Sequence, residues 1–227
     1  MIEYSDKMDK KTANIIIDRL KSHYGTPTTA LNYNNEFELL VSVILSAQCT
    51  DERVNKITPA LFERFGTAEK MAKADIEEIK KLIFSCGFYN NKALSLKSAS
   101  EELITRFNGV VPSTREELMS LRGVGRKTAN VIRGNIYKEP SIVVDTHVKR
   151  ISQKLGFTNE EDPVKIEYDL MDILPKDHWI RYNIQIITHG RTICVARRPK
   201  CEQCFLNGLC KEGKISTSVK GGKSSRL

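Results

Sequence analysis

The sequence predicts an all-α protein, and three observations carry that reading. Apolar residues recur at helical spacing in almost every segment, capping residues stand where those segments begin, and only SIVVD at 141–145 reads as extended. NEFELLVSVILSAQ is apolar on all sides; its length and the Asn35/Glu38 pair favour a buried helix over a buried strand. Asp51 opens a segment with Val54, Ile57, Leu61, Phe62 and Phe65 on one face, closed by Gly66. Asp75 opens another through Ile76, Ile79, Leu82 and Ile83, stopped at Gly87, and Leu96, Ala99, Leu103 and Phe107 mark a fourth, ended by Gly109. Ser113 with Glu116, or Thr114 with Glu117, forms a capping box for a helix running to about Leu121. Val148, Ile151 and Leu155 trace a helix that Asp145 caps and Gly156 ends. Asp162 followed by Pro163 is a cap with proline at the first helical position, leading Ile166, Leu170 and Ile173. DHWIRYNIQIITHG is the last long helix.

With 227 residues the chain can build one large domain or two small ones with real cores. It is 40% hydrophobic with a mean hydropathy of −0.35, the balance of a soluble globule. No run is apolar enough to span a bilayer, and MIEYSDKMDKK lacks the apolar core of a secretory signal, so a cytoplasmic protein, by default a monomer, is expected. The net charge of +8 is uneven: nine basic residues follow from Arg191 to the end, against Glu202 and Glu212. Such a surface favours polyanions without choosing among them. No repeat is evident, and GKISTSVKGGKSSRL, residues 213–227, is expected to be disordered.

LRGVGRKTANVI, residues 121–132, resembles a phosphate loop yet fits neither common signature. A P-loop needs glycines where Leu121 and Arg126 stand, and the dinucleotide fingerprint needs one where Thr128 stands. It lies instead between two predicted helices. Gly123 and Gly125 permit positive φ in a tight turn, while Val124 packs inward. The second helix starts near Arg126 and continues through Ala129, Ile132 and Ile136, and its first amides are unpaired with the positive end of the dipole behind them. Glycines let a phosphate reach those amides, so this helix-hairpin-helix can grip a DNA backbone without reading sequence.

Lys127 in that turn is either a phosphate contact or a nucleophile. A nucleophilic amine must be neutral, and the helix N-terminus, Arg126 and partial desolvation all favour the neutral form. VVDTHVKR supplies the partner such chemistry needs. At an N-cap the Asp145 carboxylate stays ionised, suited to stabilise a developing sugar cation or to shuttle a proton.

The six cysteines fall into two groups. Cys49 and Cys86 are isolated in apolar stretches and read as small core residues. Cys194, Cys201, Cys204 and Cys210 form C-x6-C-x2-C-x5-C, enough thiolates for one tetrahedral metal or one cubane cluster. Spacing leaves zinc and iron–sulfur both open. The enclosed VARRPK, with Arg197 and Arg198, would form a second grip on phosphate.

LRGVGRKTANVI, VVDTHVKR and the cysteine spacing, in this order, resemble the endonuclease III family of helix-hairpin-helix DNA glycosylases over essentially the whole chain bar the tail. The resemblance implies two helical domains flanking a DNA-binding cleft. One is a six-helix domain over 29–139 carrying the hairpin at about 114–136; the other joins the N-terminal helix, within 1–28, to 140–212 and holds one [4Fe-4S] cluster on the four cysteines. It implies that damaged duplex DNA is the partner, that an oxidised pyrimidine is flipped out, and that Lys127 forms a Schiff base at C1′. Asp145 is then the catalytic carboxylate, and β-elimination nicks the strand 3′ to the lesion. LSAQCTD matches the segment whose glutamine, here Gln48, fills the gap left by the flipped nucleotide. CGFYNNK matches a second wedge, where family members often carry leucine and this chain has Phe88. His147, Arg126 and Thr128 join the expected DNA contacts. The related adenine-mismatch glycosylases fit less well, since they lack the nucleophilic lysine and carry an extra C-terminal domain. A passive DNA-binding module is the alternative of a different class.

Overall fold

The computed structural model describes residues 8–211 and 213, and all regular structure among them is helical. The predicted disordered tail lies outside the described residues apart from Gly213. The chain divides into two compact units, Thr29–Glu139 and Met1–Thr28 with Pro140–Leu227. No helix among the described residues is long and apolar enough to cross a membrane.

The Thr29–Glu139 unit is built around α2 (Glu36–Ser46), whose residues from Phe37 to Leu45 are all buried. A helix apolar all round has no wet face, so its neighbours must enclose it. α3 (Asp51–Phe65), α6 (Tyr89–Phe107) and α8 (Arg126–Asn135) pack on it, α4 (Ala68–Lys73) and α5 (Ile76–Ile83) pack on α3 and α6, and α7 (Arg115–Met119) packs on α8. Asn35 caps α2 through the Glu38 amide at 2.9 Å, but the Glu38 carboxylate accepts from Asn34 rather than from the Asn35 amide, so the pair forms only half a capping box. The six-residue α4, capped by Thr67, raises the count to seven segments where the resemblance implies six. It is too short to leave a periodic signal. α6 starts at Tyr89, well before the first apolar marker at Leu96, because Phe88 precedes it in a left-handed conformation with no capping bond.

The other unit packs α1 (Lys10–Tyr24), α9 (Thr146–Leu155), α10 (Pro163–Ile173) and α11 (Trp179–Thr192) around Ile16, Leu20, Ile151, Leu170, Tyr182 and Ile186. Asp145 and Asp162 cap α9 and α10 as the sequence predicts. Gly156 ends α9 at φ +84°, a conformation that favours glycine. SIVVD forms no strand: residues 141–145 are an irregular connector, since no second β segment exists among the described residues to pair with it.

Candidate functional site

Thr114 rather than Ser113 caps the first helix of the hairpin: the Glu117 amide donates to its hydroxyl at 3.3 Å, and the hydroxyl donates to the Glu117 carboxylate at 2.6 Å. That helix stops at Met119, short of the expected Leu121. Leu121 and Val124 turn inward and are buried, which pins the loop to the core. The two glycines then do different things. Gly123 sits at φ +83°, and a Cβ there would lie 2.7 Å from the Ser95 Cβ, so both conformation and space demand glycine. Gly125 is at φ −94°, not the expected positive φ, and a Cβ there would meet nothing within 4 Å. Its missing side chain leaves the outer face of the turn open. As N-cap of α8 it supplies no capping side chain of its own.

Lys127 is exposed; Arg126 and Thr128 are half-buried. Tyr137 donates to the Val111 carbonyl, tying the chain after α8 to the chain before α7.

Gln48 and Phe88 lie on two exposed turns of the same unit. Gln48 follows α2 at φ +52°, and Phe88 is 64% exposed at φ +59°. Left-handed conformations at non-glycine residues cost energy and persist where surrounding structure enforces them. Between these turns lies Lys92, which sequence reasoning missed: buried, it donates to the Leu45 carbonyl at 2.9 Å, in the last turn of α2. No spacing rule marks such a lysine. The expectation for Cys49 and Cys86 is corrected as well. Cys86 is a core residue, but Cys49 is half-buried, and their sulfurs meet at 3.5 Å.

In the other unit, Asp145 accepts from the Val148 amide at 2.8 Å, which fixes the carboxylate at the positive end of α9. His147, the second residue of α9, packs so closely against Gly190 of α11 that a Cβ at Gly190 would fall 2.3 Å from its Nδ1. Arg197 and Arg198 are exposed on the loop after α11.

Cys194, Cys201, Cys204 and Cys210 line one cavity walled by Ile151, Leu155 and Leu206. None of the four is in a disulfide. Burial pushes the Cys204 thiol above its ordinary value, and the neighbouring Cys210, Cys194 and Cys201 sulfurs add to it. Four thiols ringing one cavity suit a cluster with an iron at each corner. Two donors address the sulfurs: Arg150 reaches the Cys194 Sγ at 3.6 Å and its carbonyl at 2.8 Å, and His189 Nε2 lies 3.6 Å from the Cys204 Sγ with Tyr24 on its Nδ1 at 2.9 Å. Burial holds His189 down to about 4, so its ring is neutral and orients by hydrogen bonds.

Residues 41–176 match the HhH-GPD superfamily of base excision DNA repair proteins, and residues 194–210 match the iron–sulfur binding domain of endonuclease III. The chain is 47% identical over 208 residues to endonuclease III of Synechocystis sp., covering 91% of this chain and 95% of that protein. It is 39% identical to endonuclease III of Bacillus subtilis, over 91% of this chain and 95% of the relative. Among solved structures it resembles a trapped endonuclease III–DNA covalent intermediate, with a TM-score of 0.87 and 41% identity over 92% of this chain and 99% of the other. A non-covalent endonuclease III–DNA complex matches with a TM-score of 0.88 and 40% identity, over 93% and 99%. The hairpin, the thiol-lined pocket and these likenesses agree: the chain belongs to the endonuclease III family of HhH-GPD base-excision repair proteins and carries one [4Fe-4S] cluster.

Proposed function

We propose that Lys127 is the amine through which this chain acts on damaged DNA. The chain is a DNA glycosylase and abasic-site lyase: it removes oxidised pyrimidines from duplex DNA and nicks the strand 3′ to the gap. One observation carries the assignment of the lysine: it stands in the first turn of a helix that a glycine leaves uncapped. A backbone phosphate held by the amides there brings a deoxyribose within reach of the amine.

The electron pair of Lys127 Nζ attacks C1′, the C1′–N1 bond breaks, and the base leaves with that bond's electrons and takes up a proton. Opening of the sugar gives an iminium at C1′. Loss of a proton from C2′ then expels the 3′ phosphate oxygen, and water releases the lysine. We assign Asp145 to this sequence as the carboxylate that offsets positive charge growing on the sugar and accepts or returns protons. Its cap bond to Val148 makes one oxygen structural and leaves the other for that work.

We assign Gln48 and Phe88 to the space a flipped nucleotide vacates, since both are exposed on turns held in enforced conformations. Gly123, Gly125, Arg126 and Thr128 take the phosphate at the hairpin, and His147, Arg197 and Arg198 add contacts from the other unit. Bound to Cys194, Cys201, Cys204 and Cys210, the cluster supplies iron–sulfur bonds that tie the C-terminal loop into one rigid piece. A duplex-DNA substrate puts the enzyme at the chromosome, in the cytoplasm.

The test is a duplex bearing one thymine glycol. The wild-type product should end in a 3′ unsaturated aldehyde facing a 5′ phosphate, and Lys127→Gln should yield no cut strand. A cut strand with a 3′ hydroxyl, or an intact abasic site from the wild type, would contradict the lyase step. Binding without any base release would point to a passive DNA-binding module.

A further inference from the structure

The turn bearing Gln48 and the turn bearing Phe88 meet at two sulfurs. Cys49 follows Gln48, Cys86 lies two residues before Phe88, and their Sγ atoms are 3.5 Å apart. The backbones are close as well, since a Cβ on Gly87 would lie 3.6 Å from the Gln48 carbonyl oxygen. Neither thiol belongs to the cluster pocket. Cys49 is half-buried and within reach of solutes, whereas Cys86 is 1% exposed.

We infer that Cys49 and Cys86 form a thiol–disulfide site, oxidised by small-molecule disulfides of the glutathione type, which cross-links the two DNA-inserting turns. The regulatory part rests on the wedge roles assigned to Gln48 and Phe88 above; the site itself does not. The Cys49 thiolate attacks one sulfur of the small disulfide, a new S–S bond forms, and one thiolate departs and takes up a proton. Cys86, deprotonated, then attacks the Cys49 sulfur and expels the second small thiolate. The protein pair gives up two electrons and two protons, and the small disulfide becomes two thiols.

Access decides the order of attack, because the oxidant meets Cys49 first and Cys86 resolves. Burial, reinforced by Cys49, pushes the Cys86 thiol up to about 11, with Lys92 and Arg53 pulling the other way. Closing the bond shortens the sulfur separation from 3.5 Å to about 2.0 Å, and the two turns absorb the difference. A displacement of about 1 Å in groups that position a substrate costs on the order of 100-fold in rate. The oxidised enzyme should accordingly process its lesion more slowly, reversibly.

The experiment uses cluster-loaded protein, freed of reductant and exposed without air to oxidised glutathione while its visible absorbance stays constant. Mass spectrometry of a digest should show a peptide pair joined through Cys49 and Cys86. Cleavage of a thymine glycol duplex should slow by about 10- to 100-fold, the scale set by such a displacement, and dithiothreitol should restore it. Cys49→Ser should keep its full rate under the same treatment, and Cys86→Ala should retain glutathione on Cys49 as the trapped intermediate. No joined peptide, or a joined peptide with an unchanged rate, overturns the inference. The joined peptide reports the site without reference to DNA, and Phe88→Ala in the reduced enzyme reports the wedge reading without reference to the thiols.

Discussion

Lys92 is 6% exposed, and its ammonium nitrogen lies 2.9 Å from the carbonyl oxygen of Leu45. That carbonyl is among the last of α2, which has no further turn to bond it, and the negative end of the helix dipole favours a cation there. The contact joins the start of α6 to the end of α2, the two places from which Phe88 and Gln48 project.

Lys92→Met keeps the stem and removes the donor. Leaving a buried carbonyl without its partner costs about 1–3 kcal/mol, to be read as a lower urea midpoint. Loosening of the Gln48 turn should also lower kcat/KM on a lesion duplex by about 10-fold, equivalent to about 1.4 kcal/mol. A Met variant as stable and as active as wild type would show the bond to be incidental.

The hairpin glycines should separate in their effects. Gly123→Ala forces a side chain into φ +83° and against Ser95, and should destabilise the protein by about 1–3 kcal/mol. Gly125→Ala meets an ordinary φ and open space, and should cost less than about 1 kcal/mol as a poorer cap. Its methyl group stands where a phosphate would approach, so affinity for an abasic-site duplex should fall by more than stability does. Fluorescence-polarisation titrations beside thermal melts test this contrast. Equal affinities for Gly125→Ala and wild type would remove the hairpin from the DNA interface.

What the sequence made legible follows from which forces are local. The caps at Asn35, Asp145 and Asp162 could be read because a cap is decided within three residues. The hairpin and the four-cysteine loop could be read because their chemistry depends on short spacing. Other features depend on distant parts of the chain. Cys49 and Cys86 look isolated because 37 positions separate them, and only the fold brings their sulfurs together. Lys92 and Leu45 are separated by 47 positions, and a lysine in a polar NNK run gives no sign of burial. Gly125 departs from the expected φ for a local reason: glycine signals either a special φ or an absent side chain, and composition does not distinguish them.

Asp145 serves as both cap and carboxylate, and two substitutions separate the roles. Asp145→Asn retains an oxygen for the Val148 amide, and asparagine caps as well as aspartate, so stability should change by only a few tenths of a kcal/mol. Loss of the charge should still slow base release by about 100-fold or more in single-turnover assays. Asp145→Ala should show the same rate loss with about 1 kcal/mol of stability gone as well. A fully active Asn variant would reduce Asp145 to a cap.

His178 should give the protein an acid-sensitive stability. Its Nε2–H donates to Gln185 Oε1 at 2.8 Å, because Gln185 must use its amide nitrogen on the Gly25 carbonyl. Burial holds His178 below the ordinary imidazole value; the Gln185 bond and Asp177 oppose this, while Lys21 and Arg181 reinforce it. An unfolded histidine titrates near ~6.5, so as pH falls the unfolded chain takes the proton first. The contribution is complete above about pH 6.5 and is lost as pH drops from there toward the folded value. Urea midpoints should therefore fall between about pH 7.5 and 5.5, and His178→Gln should flatten that slope. An unchanged slope would assign the pH dependence to other groups.

The central claim is that Lys127 forms the covalent bond to DNA, and borohydride trapping on a duplex with one abasic site tests it most directly. Wild-type protein should give a stable protein–DNA adduct, mapped by peptide mass to Lys127, and Lys127→Gln, folded and cluster-loaded, should give none. An adduct of undiminished yield from Lys127→Gln, or none from wild-type protein that still binds the DNA, would contradict it.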